Sequence, residues 1–105
     1  MISGADIRVA VKTLVDRFHP ERVILFGSHA RGTADARSDV DLLVVCPFQG
    51  SRRALQVAMD RTLRGCRFAW DIVLLTSQEF ERDRLIPGTV ARPAWLEGRV
   101  LYERS

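Results

Sequence analysis

The chain has 105 residues, of which 47% are hydrophobic and 28% are charged. This composition excludes a disordered chain, and the length allows one domain with a modest core. The net charge of +3 comes from arginines spread along the chain, since Lys12 is the only lysine. Because no basic cluster alternates with aromatic residues, direct nucleic-acid binding is not expected.

Membrane and secretory signals are also missing from the sequence. No apolar run approaches the ~20 residues that a membrane-spanning helix needs. The start of the chain lacks the basic and apolar regions of a signal peptide. Cys46 and Cys66 are too few for a disulfide framework, and neither has a Cys-x-x-Cys context. We therefore expect no membrane association and a cytoplasmic protein with reduced thiols.

The first two predicted elements are a helix and a short strand. Apolar side chains recur at three- and four-residue spacing over residues 3–17, which predicts an amphipathic helix. We expect it to end at His19-Pro20, because the residue before a proline disfavours the α conformation. The short run of β-type residues over 22–26 then predicts a β-strand.

A turn and a second strand follow. Gly27 breaks the first strand, and Ser28 is predicted to be the N-cap of a short helix that reaches Arg31. Residues 32–38 are polar and predict a loop. The run over residues 40–46 is the strongest strand signal in the chain, and it is apolar at every position after Asp41, which indicates burial on both faces.

The second half of the chain continues the alternation of helices and strands. The predicted elements are a helix over 51–64, a strand over 69–75, a helix over 76–85, a helix over 89–97 and an edge strand over 100–102. This order predicts an α/β fold with one mixed sheet of three to four strands flanked by helices. We expect a single domain over residues 1–105.

Three aspartates stand at the starts of the two central strands. Asp39 and Asp41 are two residues apart, so their side chains project to the same face, and Asp71 lies near the start of the next strand. If these strands are neighbours, three carboxylates converge at one edge of the sheet. Mg²⁺ prefers such oxygen ligands and would relieve the repulsion between the carboxylates. Taken singly, each aspartate also fits a loop cap or a solvent-facing charge.

The Gly27-Ser28 turn could provide a phosphate-binding element beside these carboxylates. Glycine lets a ligand approach the backbone closely, and a helix start presents free N–H groups to an anion. Arg31 could neutralise phosphate charge, or it could form an ion pair with Asp39 or Asp41. A Gly-Ser pair is also common in ordinary turns, so this turn indicates a phosphate-binding element only in combination with the aspartates.

The combined pattern resembles the nucleotidyltransferase superfamily of the DNA polymerase β type. It consists of Gly27-Ser28, then Asp39-x-Asp41, then Asp71 on the next strand, and all three acidic positions are filled. The string GSHARGTADARSDVDLLVV is similar to the minimal nucleotidyltransferases, which commonly act as antitoxins beside a helical HEPN toxin. The resemblance implies a palm-like domain of the polymerase β type.

The resemblance also implies a role for each motif residue. Asp39 and Asp41 would bind two Mg²⁺ ions, and Asp71 would complete the metal site nearer the acceptor and help to deprotonate its hydroxyl. Gly27 and Ser28 would contact the triphosphate of ATP.

The implied reaction is transfer of a nucleoside monophosphate, AMP from ATP, to a hydroxyl of a cognate HEPN-type toxin. The sequence leaves open the base, the number of units added, the acceptor residue and the oligomeric state. Since the chain has no room for an acceptor-binding domain, the partner is expected to supply that surface. The alternative function is a non-catalytic antitoxin that neutralises its partner by direct contact.

Overall fold

The computed structural model describes residues 2–66 and 68–104. Five helices and four strands occur in this part of the chain. In chain order they are α1 (Gly4–Phe18), β1 (Arg22–Phe26), α2 (Ser28–Arg31), β2 (Val40–Val45), α3 (Arg52–Leu63), β3 (Trp70–Leu75), α4 (Ser77–Asp83), α5 (Ala91–Glu97) and β4 (Arg99–Glu103).

The helix boundaries follow from local capping. Ser3 and Asp6 form a reciprocal capping box at the start of α1, and Thr76 and Glu79 form the same arrangement at the start of α4. Helix α1 ends at Phe18, and its C-cap His19 adopts the left-handed conformation just before proline. The predicted N-cap at Ser28 is wrong, because Gly27 occupies the cap position and Ser28 is the first residue of α2.

The four strands form one mixed sheet in the order β3-β2-β1-β4. The central strand β1 is antiparallel to both β2 and β4, whereas β2 and β3 are parallel. This arrangement confirms the predicted α/β fold, with the sheet at the upper end of the expected number of strands. It places the end of β1 and the starts of β2 and β3 at the same end of the sheet.

Helices pack on both faces of the sheet. The larger core lies on one face, where Leu14 of α1 and Met59 of α3 pack with Leu42 of β2. The smaller core lies on the other face, where Phe80 of α4 and Ala94 of α5 pack with other residues of the sheet. We call these the α1/α3 face and the α4/α5 face.

None of the helices in the described part of the chain is both long enough and apolar enough to cross a membrane.

Candidate active site

Two of the three predicted carboxylates face each other across the parallel strands. Asp41 of β2 is in direct register with Asp71 of β3, and Asp39 lies two residues before Asp41. The sequence prediction required β2 and β3 to be neighbours, and the structure places them side by side. All three aspartates therefore lie at one end of the sheet.

The carboxylates belong to the α4/α5 face. Val40, Leu42 and Ile72 lie in the core of the α1/α3 face. Since successive side chains of a strand point to opposite faces, Asp41 and Asp71 lie on the other side. That face is less completely covered by helices, and Asp39 and Asp71 are exposed while Asp41 is partly buried.

Burial and neighbouring negative charges shift the pKa of Asp41. Burial raises the pKa of its carboxyl, and the charges of Asp71 and Asp39 raise it further, while the nearby His29 acts in the opposite direction. A hydrogen bond between the Asp41 and Asp71 side chains also raises this pKa. The cluster thus concentrates negative charge that the surrounding protein only partly balances.

Gly27 brings the turn after β1 against Asp41. Its φ of 73° favours glycine, and a Cβ at this position would collide with the Asp41 carboxylate. Phe26, the preceding residue, is the register partner of Asp41 on β1. The Gly-Ser turn and the central carboxylate are therefore in direct contact, as the sequence pattern suggested.

The short helix α2 is fixed at two points. His29 Nε2 lies 3.3 Å from the backbone oxygen of Ser38, which ties α2 to the loop before Asp39. Arg31 pairs with Glu97 of α5 at 3.6 Å, and not with Asp39 or Asp41 as the sequence allowed. The hydroxyl of Ser28 has no hydrogen-bond partner among residues 2–66 and 68–104.

The donor set suits a hard divalent cation that shares its ligands with phosphate. Within the described ranges, no three His, Cys, Asp or Glu side chains already form a complete metal-ligand group. Mg²⁺ does not need such a group, because it is usually held by one or two carboxylates together with phosphate and water oxygens. Asp39, Asp41 and Asp71 could provide such carboxylates, and a cation would offset the repulsion that, after burial, raises the pKa of Asp41.

A further carboxylate near the site was missed by sequence reasoning. Asp60 of α3 lines the same cleft as Asp71. Burial and the charge of Asp71 raise the pKa of Asp60, while Arg64 lowers it, so the two carboxylates are electrostatic neighbours. The sequence signal was present in the four-residue spacing of Arg52, Gln56 and Asp60, but the strand against which this row packs could not be predicted.

The family model of the nucleotidyltransferase domain matches residues 7–102. Because this match covers nearly the whole sequence, the chain belongs to that family. The chain is therefore a nucleotidyltransferase, which is a class of transferase.

Several solved structures share this fold. A toxin-antitoxin structure with AMP-PNP has a TM-score of 0.67 at 20% sequence identity, covering 95% of this chain and 74% of that one. A Sulfolobus solfataricus protein with a provisional nucleotidyltransferase assignment has a TM-score of 0.65 at 23% identity, covering 95% and 79%. A mutant of the toxin-antitoxin pair MntA-HpeT has a TM-score of 0.65 at 20% identity, covering 100% and 76%. No curated protein matches the sequence.

Proposed function

We propose that this chain is an Mg²⁺-dependent antitoxin enzyme that transfers AMP from ATP to a hydroxyl of a HEPN-type toxin. Its membership in the nucleotidyltransferase family supports the reaction class. The fold likeness to toxin-antitoxin structures, one of them with AMP-PNP, supports the nucleotide and the kind of partner.

The observation that carries the proposal is the register of Asp41. This residue lies opposite Asp71 on one side and opposite Phe26 on the other, with Gly27 packed against its carboxylate. The turn that we propose to bind phosphate and two of the carboxylates that we propose to bind metal therefore meet at Asp41. Phosphoryl-type transfer needs these two elements close together.

In this mechanism each motif residue has a distinct task. Asp39 and Asp41 would hold two Mg²⁺ ions, which when bound supply charge stabilisation to the attacking and leaving oxygens. Asp71 would share in holding an ion and accept the proton of the acceptor hydroxyl. The acceptor oxygen bonds to the α-phosphorus, and the bond to the departing pyrophosphate breaks.

The turn residues would bind the triphosphate. Gly27 has no side chain to obstruct the phosphates, and the unpartnered Ser28 hydroxyl can donate a hydrogen bond to them. Arg31 would contact a phosphate after releasing Glu97. That ion pair is weak, because both side chains are about half exposed and the distance is 3.6 Å.

The partner would dock beside this site on the α4/α5 face. Large apolar side chains are exposed there, including Leu85, Trp95 and Leu96. Trp95 is held in place by Arg84, whose guanidinium lies 4.4 Å from its ring centre. Exposed apolar side chains near a reactive centre are typical of a protein-binding surface.

The test is intact-mass spectrometry of the protein encoded next to this chain, after co-expression. With wild type, we expect that protein to gain the mass of one or more nucleoside monophosphates. Asp41→Asn should reduce the modified fraction at least 100-fold, because it removes a charge that acts in the transition state. Asp16→Asn removes an exposed charge on α1 and should leave modification at the wild-type level.

Modification that persists at the wild-type level in Asp41→Asn contradicts the carboxylate assignment. An unmodified neighbour that is nevertheless neutralised equally by wild type and Asp41→Asn would identify the non-catalytic antitoxin instead.

A further inference from the structure

The open edge of β3 is capped by a row of side chains from α3. In a strand, backbone groups alternate in direction, and the carbonyls of Ala69 and Leu75 point inward to β2, where they accept from Val40 and Cys46. The carbonyls of the intervening even-numbered residues therefore point outward. Two of them are capped by α3, since Arg52 donates to Leu74 and Gln56 donates to Ile72.

The third member of this row is Asp60, which cannot act in the same way. Each step of the row covers four residues of α3, which rise about 6 Å, and two residues of β3, which rise about 6.6 Å. Because the two rises are nearly equal, the next step brings Asp60 to the level of Trp70. An ionised carboxylate accepts hydrogen bonds and has none to donate to an outward carbonyl. The row therefore supplies hydrogen-bond donors at Leu74 and Ile72, but an acceptor at Trp70, the residue before Asp71.

A cleft opens at this point. It has a volume of about 290 Å³ and is lined by Gln56, Asp60, Arg64, Phe68, Trp70 and Asp71. We call it the edge cleft. Its volume is close to the lower end of the ~300–1,000 Å³ range of ligand pockets, which suits one side chain with its adjoining backbone.

Three polar side chains of the edge cleft have no hydrogen-bond partner among the described residues, whereas Gln56 donates to the Ile72 carbonyl. Within residues 2–66 and 68–104, no donor is hydrogen-bonded to the Asp60 carboxylate, and Arg64 forms no salt bridge. Trp70 Nε1 is buried and has no hydrogen-bond acceptor among the same residues. The cleft thus presents an acceptor, Asp60, and a cation, Arg64, to a bound molecule, and the buried Trp70 Nε1 beside them is an unsatisfied donor.

We propose that the edge cleft holds the acceptor segment of the protein partner, with Asp60 as a positioning residue that accepts a hydrogen bond from that segment. This inference rests on the proposed function. It places the acceptor hydroxyl beside Asp71, which receives its proton, while the nucleotide lies on the other side at Gly27. Arg64 binds an acidic group of the same segment.

The charges of the cleft favour a peptide over a nucleic acid. Asp60 lies close to Asp71, and its carboxylate accepts hydrogen bonds, which suits the N–H and O–H donors of a peptide but not the acceptor oxygens of a phosphate backbone. The aromatic walls formed by Phe68 and Trp70 suit an apolar side chain of the bound segment.

The test is steady-state kinetics of Asp60→Asn, with ATP and the neighbour-encoded protein as substrates. We expect the KM for the acceptor protein to rise about tenfold, which matches the loss of one hydrogen bond to a charged group. The KM for ATP and kcat should stay within about twofold, because Asp60 does not touch the nucleotide. Asp60→Glu restores the carboxylate and should recover part of the lost affinity.

Matched variants on α3 and α1 separate this role from a general effect of charge or folding. Arg64→Ala should raise the KM for the acceptor protein, whereas Arg61→Ala, one turn away and outside the cleft, should not. Asp16→Asn is the control for loss of a negative charge.

The outcomes are distinguishable. If wild type does not modify the neighbour-encoded protein, the proposed function fails and this inference fails with it. If wild type is active but Asp60→Asn and Arg64→Ala both keep the wild-type KM for the acceptor, only the inference is overturned. Labelling of RNA in place of the protein also overturns it, since the cleft would then hold a nucleic acid.

Discussion

The two faces of the sheet differ in how fully they are covered and in what they carry. Among the residues that the structure describes, fourteen form the buried core of the α1/α3 face and six form that of the α4/α5 face. The three carboxylates lie on the second face. The difference indicates that one face mainly stabilises the fold, while the other leaves charged groups accessible to a ligand.

The largest effect on stability should come from the α1/α3 face. Leu14 is fully buried in α1, and Leu14→Ala should lower the free energy of unfolding by about 2–5 kcal/mol through lost burial and a residual cavity. Urea denaturation measures this change. Leu96→Ala on α5 is the matched control, and its loss should stay within about 0.5 kcal/mol because Leu96 is 60% exposed. Equal losses in the two variants would contradict the contrast between the faces.

A substitution at Gly27 tests the contact between the turn and Asp41. Gly27→Ala should lower the free energy of unfolding by about 2–3 kcal/mol, because the alanine would have a positive φ and its methyl group would collide with the Asp41 carboxylate. Gly50→Ala has a similar φ of 82° but open space around the added methyl group, so it should cost only about 1 kcal/mol. The difference between the two free energies, measured by denaturation, reports the collision together with the backbone conformation of Gly27, whose ψ of −154° is essentially restricted to glycine. Identical values would show that Asp41 does not constrain the turn.

The Arg52–Glu79 ion pair joins the helices of the two faces around the β3 edge. Arg52 of α3 makes two hydrogen bonds to Glu79 of α4, and Thr76 donates a third from its backbone. The hydrogen bonds from Arg52, and to a smaller extent the one from Thr76, lower the pKa of Glu79 from 4.5 to about 2. Arg52→Ala should lower the free energy of unfolding by about 1–2 kcal/mol at pH 7. The loss would be larger if the pair were not partly exposed to solvent.

The pH dependence of this pair has a definite sign. Because folding lowers the pKa of Glu79, its ionised form stabilises the protein above about pH 4.5, and this contribution is lost as the pH falls toward 2. Wild type should therefore lose more stability than Glu79→Gln between pH 5 and pH 2. Thermal melts across this range measure the difference, and parallel curves would refute the pair's contribution.

The smallest stability effect is expected at Asp41. Folding raises the pKa of this carboxyl through burial and the charges of Asp71 and Asp39, so its ionised form costs stability as the pH rises through that pKa. Asp41→Asn removes the cost, and without Mg²⁺ its melting temperature at pH 7 should equal or slightly exceed that of wild type. A clear decrease would mean that the Asp41 charge stabilises the fold.

The fold could largely be predicted from local sequence signals. The capping sequences at Ser3 and Thr76 and the apolar run after Asp41 mark their elements correctly, because each depends on interactions within a few residues. The cap at Ser28 was mispredicted, because a serine hydroxyl favours the cap position but the contact of Gly27 with Asp41 fixes the backbone there.

The candidate site could be predicted only in part. The positions of Asp39, Asp41 and Asp71 follow from their place at the starts of neighbouring strands. The pairing of Arg31 with Glu97 and the position of Asp60 beside Asp71 depend on how distant helices pack, which no local pattern specifies. The roles of the three aspartates in metal binding and of the Gly27-Ser28 turn in nucleotide binding stay predictions.

Calorimetric titration of the protein with AMP-PNP, with and without Mg²⁺, tests whether Asp41 holds a metal ion through which the nucleotide binds. We expect wild type and Asp16→Asn to bind the nucleotide only when Mg²⁺ is present, and we expect Asp41→Asn to weaken this binding at least tenfold. Binding of equal affinity in wild type and Asp41→Asn, or binding to wild type that does not depend on the metal, would contradict this role of Asp41.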